Sequence, residues 1–573
     1  MLYFSSILGY SVRAISCHSS WNLRWASGFY IHLVLLYILN ILNIFNVNVL
    51  TLLILFGNIN FLTYHRPSLK DHFGDKLFAL MLLPFLTIVL LRCLAPPYFI
   101  DVLQYHLPMT LTYIKNQAFL PLDDYFFAQA ITNFAAEIPN AVLVLFFGSD
   151  SWNLINFGFV IIILCQLWEF FKNHSHPKTT WTIAILLTLS CGTFFHSVVY
   201  GKTEILIICV MMDLLLRLKT QEQWDGRSKF IYFVAVGFLP FFKISMAPAA
   251  LFFAGYAVWK DSRMLKDQLF KFEYVGLFLG MLLLLLKNWS THGLLFFPLY
   301  FDAQQVPEAF AHGLKSWMGA PVHVNTQELL HGIEYFFWGR PGMGFNAQAW
   351  GFFTIMGLGF ALWKKKWNIQ LLAAVVFAHW LYWFLTYRFP HTTFRLCFPV
   401  YFVFFMLLFY SVMQDQSKSF CRLLLVFSCC WTAYFYNKEG QILPGLKYNL
   451  GLQSLAEYYG NMNIHIGVLA QNLPKEVLDS SSKCAVESEL AGSVNFKQAY
   501  YVNLSKDFDR RDVDVDRFLE LLKEKDIGHI ISDHSNSGSF FDKNLRRAVA
   551  MGKIGVVKNY REAYLYRVLS DRQ

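Results

Sequence analysis

The sequence predicts a mainly α-helical, polytopic membrane protein of about thirteen spans, followed by a small extracytoplasmic α/β domain. Of its 573 residues, 56% are hydrophobic and only 15% are charged, which is too little charge for a soluble chain of this size. Its apolar runs are long enough for helical spans, which need about 20 residues each. Most Lys and Arg lie in short segments between these runs, as basic cytoplasmic loops do. The net charge of +10 therefore reflects membrane orientation, and no nucleic-acid partner is expected.

The first apolar stretch, residues 29–64, is interrupted at Asn46 and Asn48 and predicts a hairpin of two spans. Basic residues flank both of its ends, so both ends are expected in the cytoplasm. A third span, 77–95, brings the chain to the outer face. The Pro-Pro pair that follows ends this helix, because proline cannot donate a backbone hydrogen bond.

Residues 96–151 contain a single cation and predict short amphipathic helices on the outer surface, at 101–117 and 125–147. The second helix is apolar enough to be a span. We favour an interfacial helix because Glu137 and Pro139 interrupt it. A span there would also invert every later loop and place the basic ones outside.

The remaining apolar segments then alternate in direction, with nearly every short basic loop inside, the N-terminus inside and the C-terminus outside. The predicted spans are 152–171, 180–198, 203–217, a broken pair at 230–242 and 246–259, then 273–287, 349–363, 367–386, 395–413 and 422–437.

The chain becomes more polar near residue 438. Short β-rich pieces alternate there with helical pieces such as 513–525, which suggests a small α/β domain. The β-rich pieces are IHIGVLA, AYYVNL, HIISD, IGVVKN and AYLYRVL. We divide the chain into an N-terminal hairpin with a cytoplasmic loop (1–76), a transmembrane core (77–437) with outer loops 96–151 and 288–348, and an extracytoplasmic α/β domain (438–573).

The stretch DVLQYHLP, which follows the third span, contains the main catalytic candidate, Asp101. A carboxylate at this position can take a proton from an attacking hydroxyl, or it can cap the helix 102–117. His106 lies close by in the chain as a helper. Asp123 and Asp124 would supply a second acid or bind a cation, with a solvated turn as the alternative.

Four cations fall on the predicted outer side, against the general trend: Lys202, Lys243, Arg388 and Arg395. They would bind the phosphate of a polyprenyl carrier. Snorkelling of each long side chain towards the interface is the alternative. Lys243 is the most informative, because it interrupts the apolar segment GFLPFFKISMAP.

The outer loop 288–348 contains Trp317, Tyr335, Trp338 and Arg340. Its aromatic side chains suit sugar rings in a lid over the site, or they form an interfacial belt. The sequence has no Gly-rich phosphate loop, no HExxH and no GxSxG motif. No cofactor is therefore expected, and a divalent cation is possible but unsupported.

Four motifs in order, D-x-x-x-YHLP, GSD at 148–150, FFKISMAP and YRFPHTTFR, resemble those of the polytopic glycosyltransferases of the GT-C fold. The resemblance covers roughly residues 77–413 and is closest to bacterial members related to the protein mannosyltransferases and the lipid A aminoarabinose transferases. It implies an inverting transfer of a hexose or pentose from a polyprenyl-phosphate sugar on the outer face. The acceptor would be a lipid, a glycan or a protein.

In that resemblance Asp101 corresponds to the first-loop acid, which acts as the base or positions the acceptor. Many relatives have a second acid beside it, whereas this chain has Val102, which weighs against a metal-dependent mechanism. The predicted site thus has Asp101 and His106 at the catalytic centre, and Lys243, Arg388, Arg395 and Lys202 on the donor phosphate. Residues expected at the sugar or acceptor are Asp123, Asp124, Tyr105, Trp338 and Arg340.

Three other functions fit a polytopic protein of this composition. A polysaccharide polymerase or ligase would depend on outer-loop Arg and His instead of a first-loop Asp. A transporter or flippase of lipid-linked glycans should have inverted repeats and ionisable residues at the midplane, and the sequence contains no repeat. A structural assembly protein would need only a partner-binding C-terminal domain. The expected location is multi-pass in a bacterial inner or plasma membrane.

Overall fold

The computed structural model describes most of the helical part and most of the C-terminal region. The described residues are 21–64, 76–98, 102–117, 137–173, 175–219, 226–260, 274–292, 390–414, 416–438, 442–488, 493–494, 498–502, 514–535 and 540–569, with the isolated positions 3, 7, 10, 327, 330 and 376. The predicted outer loop 288–348 and the predicted spans 349–363 and 367–386 lie almost wholly outside them.

The N-terminal two thirds of the described chain is helical, with helices at the positions that the apolar runs predict. The first three helices are α1 (Trp21–Ile41), α2 (Val47–Tyr64) and α3 (Lys76–Leu94). They are followed by a π-helical turn (Val102–His106), α4 (Leu107–Asn116), α5 (Ile138–Phe147), α6 (Leu154–Phe171), α7 (Pro177–Leu189), α8 (Gly192–Val199), α9 (Glu204–Lys219), α10 (Gly226–Phe242), α11 (Ala247–Lys260), α12 (Val275–His292), α13 (Pro390–Met413) and α14 (Lys418–Lys438).

Several of these helices have the length and composition of membrane spans. In the described part of the chain, three helical segments are long and apolar enough to cross a membrane: Leu23–Ile41, Ser149–Phe171 and Lys418–Tyr436. A fourth is added if the bent pair α7 and α8 is one span. Large apolar side chains on the outside of the bundle, such as Leu52, Phe278 and Leu423, are exposed, as they are where lipid is the solvent.

The predicted span 180–198 is not one straight helix. It bends by 68° between α7 and α8. The hydroxyl of Ser190 donates to the carbonyl of Leu186 (2.8 Å), four residues earlier. Ser and Thr hydroxyls that bond in this way often bend helices. The bend turns α8 away from the axis of α7 and leads the chain into the turn 200–203, which carries Lys202.

The described residues of the C-terminal region form a five-stranded mixed sheet with the strand order β2-β1-β3-β5-β4. Strand β1 pairs in parallel with β2 and β3, whereas β5 is antiparallel to both β3 and β4. The strands are β1 (Lys483–Glu487), β2 (Ala499–Tyr501), β3 (Ile527–Ser532), β4 (Ile554–Tyr560) and β5 (Ala563–Val568). The helices are α15 (Ile442–Asn449), α16 (Leu455–Asn461), α17 (His465–Gln471), α18 (Lys475–Leu478), α19 (Val515–Glu524) and α20 (Phe540–Ala550).

One predicted strand was wrong. The segment IHIGVLA forms α17 instead of a strand. Residues Ile466 to Leu469 are all buried there, so the segment shows neither helical nor strand periodicity, and a short apolar run of this kind is ambiguous. The other four β-rich pieces contain strands β2, β3, β4 and β5.

The C-terminal region shares a hydrophobic core with the outer-loop segments that follow α3. Helix α15 packs directly against α3, and the hydroxyl of Tyr458 donates to the carbonyl of Pro96 (3.0 Å). The shared core includes Val102, Leu107, Tyr113 and Trp152 on one side and Tyr458, Ile464, Ile466 and Leu565 on the other. The small sheet therefore adjoins the end of the helical bundle where the candidate site lies.

Candidate active site at the mouth of the helical bundle

We define the mouth as the end of the bundle formed by the C-terminal end of α3, the turn 200–203 and the segment that follows α10. Of the predicted site residues, His106, Lys202 and Lys243 are described with their side chains. For Tyr105, in the π-helical turn, and Arg395, in α13, the structure describes the backbone only. Outside the described residues lie Asp101, Asp123, Asp124, Trp338, Arg340 and Arg388.

The turn 200–203 is held by two side chains from the start of α6. The amide of Asn156 donates to the carbonyls of Ser197 (3.1 Å) and Lys202 (3.1 Å). The indole Nε1 of Trp152 donates to the carbonyl of Gly201 (3.2 Å). These bonds fix the backbone at Lys202 and in the residues just before it. The buried side chain of Lys202 therefore projects from a rigid turn.

The turn 200–203 requires a glycine at position 201, and replacing Gly201 tests how much the turn contributes to stability. Its φ is +67°, and a Cβ there would overlap the side chains of Trp152 and Asn153. We expect Gly201→Ala to lower the free energy of unfolding by about 1–2 kcal/mol for the left-handed backbone, plus about 1–3 kcal/mol for overpacking. Thermal unfolding of the purified protein in detergent measures the change.

Gly451 provides the matched control. Its φ is +68°, but a Cβ there meets no atom within 4 Å. Gly451→Ala should therefore show the backbone cost alone. Equal loss of stability in the two variants would contradict the role of the Trp152 contact.

Lys243 forms an ion pair with a residue that the sequence analysis did not select. Its Nζ donates to Oε1 of Glu204 at 2.8 Å, with the Lys243 side chain 22% exposed and the Glu204 side chain 3% exposed. Helices α9 and α10 pack together, which brings the first residue of α9 to the residue that follows α10. A buried carboxylate needs such a partner. The ammonium group has three N–H donors and so keeps capacity for a second acceptor.

Arg92, near the C-terminal end of α3, is the second residue that the sequence analysis missed. It is 2% exposed, and within the described residues none of its three guanidinium nitrogens has a hydrogen-bond acceptor of good geometry. The guanidinium lies over the ring of Tyr98, 4.2 Å from its centroid. The hydroxyl of Tyr458 lies beside it, with its proton on the carbonyl of Pro96 and its oxygen turned towards the guanidinium as a weak acceptor. The sequence does contain a signal for Arg92, because it is a basic residue at the end of a predicted span that leads to the outer face.

Ring contacts connect Arg92 to the turn that carries Lys202. The rings of Tyr98 and Tyr200 are 5.3 Å apart, and those of Tyr200 and His196 are 4.8 Å apart. Arg92 and Lys202 are both close enough to His196 to act on it electrostatically. Among the described residues, the mouth thus brings together the cations Arg92, Lys202 and Lys243 and the buried carboxylate of Glu204. This arrangement favours an anionic ligand.

His106 also has an acidic neighbour. Its Nδ1 lies 2.8 Å from Oε1 of Glu137, and both side chains are mostly buried. The contact ties the π-helical turn to the start of α5. From the sequence, Glu137 is only an acid that interrupts an apolar helix. In the structure it contacts His106, a predicted site residue.

Within the described part of the chain, no group of three or more His, Cys, Asp or Glu side chains is arranged to hold a metal ion. The carboxylates of this region have other partners instead. Asp150, in the GSD motif, accepts a hydrogen bond from the hydroxyl of Tyr448 (3.3 Å) and so links the start of α6 to α15.

The structure is similar to the crystal structure of ArnT from Cupriavidus metallidurans bound to undecaprenyl phosphate. The sequences are 9% identical, the TM-score is 0.53, and the similarity covers 88% of this chain and 99% of that chain. No family model and no curated protein matches the sequence. The chain therefore has the GT-C fold of ArnT, as its motifs predicted. Together with its apolar helices, this fold makes it an integral membrane protein.

Proposed function

We propose that the protein is an integral-membrane glycosyltransferase that transfers a sugar from a polyprenyl-phosphate donor to a lipid, glycan or protein acceptor on the outer face of the membrane. The observation that supports this most directly is the cationic mouth, with Arg92, Lys202 and Lys243, in a fold shared with a protein that binds undecaprenyl phosphate. Lys and Arg are the side chains that bind phosphate oxygens.

The proposal includes the topology that the basic loops predict. The chain would cross the membrane about thirteen times with its N-terminus in the cytoplasm. The C-terminal domain, 438–573, would lie outside the membrane and over the mouth. Its shared hydrophobic core with the segments after α3 supports this placement.

In this proposal the acceptor hydroxyl is activated or oriented by Asp101, and the donor phosphate is held by cations. His106, with Glu137 at 2.8 Å, would assist at the catalytic centre. Lys243, Arg388, Arg395 and Lys202 keep their proposed role on the phosphate, and we propose Arg92 as a further phosphate-binding residue. Contacts to the sugar or the acceptor are proposed for Tyr105, Asp123, Asp124, Trp338 and Arg340.

Binding of the carrier tests the proposal through the Lys243–Glu204 pair. Lys243→Met alone leaves Glu204 buried without its partner, which is destabilising. The double variant Glu204→Gln, Lys243→Met removes both charges, so we expect it to keep near-normal stability. Its affinity for undecaprenyl phosphate should fall about 10-fold to 150-fold, because a charge-assisted hydrogen bond contributes about 1.5–3 kcal/mol.

The measurement is the rise in unfolding temperature of the detergent-solubilised protein as undecaprenyl phosphate is added, since a ligand that binds only the folded state stabilises it by mass action. Undecaprenol, which lacks the phosphate, should give no rise. Lys229→Met, near the other end of α10, is the control variant and should bind normally. Unchanged affinity in the double variant would remove Lys243 from the phosphate site.

A further inference from the structure

A second candidate site lies in the C-terminal domain, apart from the mouth. A cavity of about 490 Å³ opens at the carboxyl end of strand β3 and the start of β5, and this size is within the range of about 300–1,000 Å³ that is usual for ligand pockets. Among its lining residues are Asn463, His465, Asp533, His534, Glu562 and Tyr564.

The position of this cavity is one where parallel sheets bind ligands. Strand β1 has the parallel strand β2 on one side and the parallel strand β3 on the other. The order in which successive strands join the sheet therefore reverses at β1. Ligands of open α/β sheets bind at such a switch point, outside the carboxyl ends of the strands. Ser532, the last residue of β3, pairs with Glu487 of β1 and with Tyr564 of β5. Tyr564 is therefore at the same edge of the sheet as the residues that follow β3.

The loop after β3 is held in one conformation by its own polar groups. Asp533 accepts hydrogen bonds from the hydroxyls of Ser488 (2.6 Å) and Ser535 (2.6 Å), so both of its carboxylate oxygens are engaged. His534 has a φ of +55°, a conformation that side chains other than glycine rarely adopt. The backbone N–H of His534 donates to the hydroxyl of Ser532 (3.0 Å).

The imidazole of His534 is also fixed on both sides. Its Nε2 lies 2.7 Å from the hydroxyl of Tyr566, and its Nδ1 contacts the buried carboxylate of Asp542. Burial raises the pKa of Tyr566 to about 12, so the phenol stays protonated beside Nε2. Both ring nitrogens of His534 are engaged, which holds the imidazole in place as part of the cavity wall.

Besides His534, the lining offers the imidazole of His465, polar uncharged groups, carboxylates and one phenol ring. Asn463 offers an amide and Glu562 an exposed carboxylate. The ring of Tyr564 lies 5.5 Å from that of His534, measured between centroids. Among the described residues, no Lys or Arg side chain lines the cavity, and Arg561 only borders it, with Nη1 3.2 Å from Nε2 of the lining residue His465. The carboxylates of the lining, Asp533 and Glu562, therefore disfavour a phosphate or a carboxylate ligand.

We propose that this cavity is a binding site for a sugar ring that carries no negative charge. Carboxylate and amide oxygens accept hydrogen bonds from adjacent sugar hydroxyls, and an aromatic face packs against the C–H groups of the ring. The proposal does not depend on the transferase activity, because it concerns binding in the C-terminal domain alone.

Binding can be measured on the full chain. The protein is placed in phosphatidylcholine nanodiscs without any polyprenyl lipid and applied to an array of immobilised neutral and acidic oligosaccharides. We expect retention on a subset of the neutral glycans. Glu562→Gln and Tyr564→Ala should each weaken it about 10-fold or more, the loss expected when a charge-assisted hydrogen bond or a ring contact is removed.

Two further variants separate binding from folding. Tyr564→Phe keeps the ring and should keep most of the binding. Glu520→Gln changes an exposed acid on α19 in the same domain, away from the cavity lining, and should bind as the native protein does. Retention on acidic glycans only, no retention at all, or retention that Glu562→Gln and Tyr564→Ala leave unchanged would each overturn the proposal.

Discussion

Replacement of Arg92 by Met is expected to raise the unfolding temperature of the lipid-free protein and, at the same time, to weaken its binding of undecaprenyl phosphate. A buried charge costs free energy unless it is paired and hydrogen-bonded. Arg92 is 2% exposed, and none of its guanidinium nitrogens has an acceptor of good geometry among the described residues. Met fills similar space without a charge, and replacing buried charges by apolar side chains is often neutral or stabilising.

The loss of affinity follows from the guanidinium donors that the described residues leave without a well-placed acceptor. A guanidinium that binds phosphate contributes about 1.5–3 kcal/mol per charge-assisted hydrogen bond, so affinity should fall about 10-fold to 150-fold. Thermal unfolding with and without undecaprenyl phosphate measures both effects on one sample.

Arg217 is the matched control, because it is equally buried but fully paired. Its Nε donates to Oδ2 of Asp213 (2.8 Å), and its Nη2 donates to the hydroxyl of Ser27 (2.9 Å). Arg217→Met leaves the buried Asp213 carboxylate without its cation and should lower the free energy of unfolding by about 3–5 kcal/mol. The affinity of the folded variant for the lipid should be unchanged. If Arg92→Met instead lowers the unfolding temperature and leaves lipid affinity intact, Arg92 serves as packing for Tyr98.

The contrast between these two arginines shows what the sequence could predict and what it could not. The apolar runs were sufficient to predict the order of the described helices. The break at Lys243 could also be predicted, because an ammonium group inside an apolar run must leave the lipid. The role of Arg92 could not be predicted from loop charges, because Arg92 lies within the last turn of a predicted span. Its environment comes from Tyr98, Tyr200 and Tyr458, which are far apart in the chain.

Contacts between charged residues that are far apart in the chain could not be predicted from the sequence either. Glu204 lies 39 residues before its partner Lys243, and Glu137 lies 31 residues after His106. Each acid had a plausible local role, as part of a loop or as an interruption of a helix. The shared core of the C-terminal domain and the segments after α3 could not be predicted either, since it joins Val102 to residues beyond 450. The bend between α7 and α8 lies where the Ser190 hydroxyl bonds to carbonyls of the preceding turn, a local contact that composition does not encode.

Asp101→Asn is expected to abolish sugar transfer while leaving the protein folded and able to bind undecaprenyl phosphate. Asp101 immediately precedes the described turn Val102–His106 and is itself outside the described residues. If its carboxylate removes the proton of the acceptor hydroxyl, its loss should slow transfer about 10²-fold to 10⁴-fold. The measurement is transfer of labelled sugar from a panel of undecaprenyl-phosphate sugars to lipids extracted from the host membrane.

Asp150→Asn is the matched control at the same mouth. Its side-chain oxygen can still accept the hydrogen bond from Tyr448, so transfer should continue at close to the native rate. Full activity in Asp101→Asn would refute the base assignment. Activity lost in Glu137→Gln but kept in Asp101→Asn would move the base to the contact between Glu137 and His106, where the carboxylate lies 2.8 Å from the imidazole. Carrier binding without transfer in the native protein would favour a transporter, because a flippase needs the phosphate site but no base.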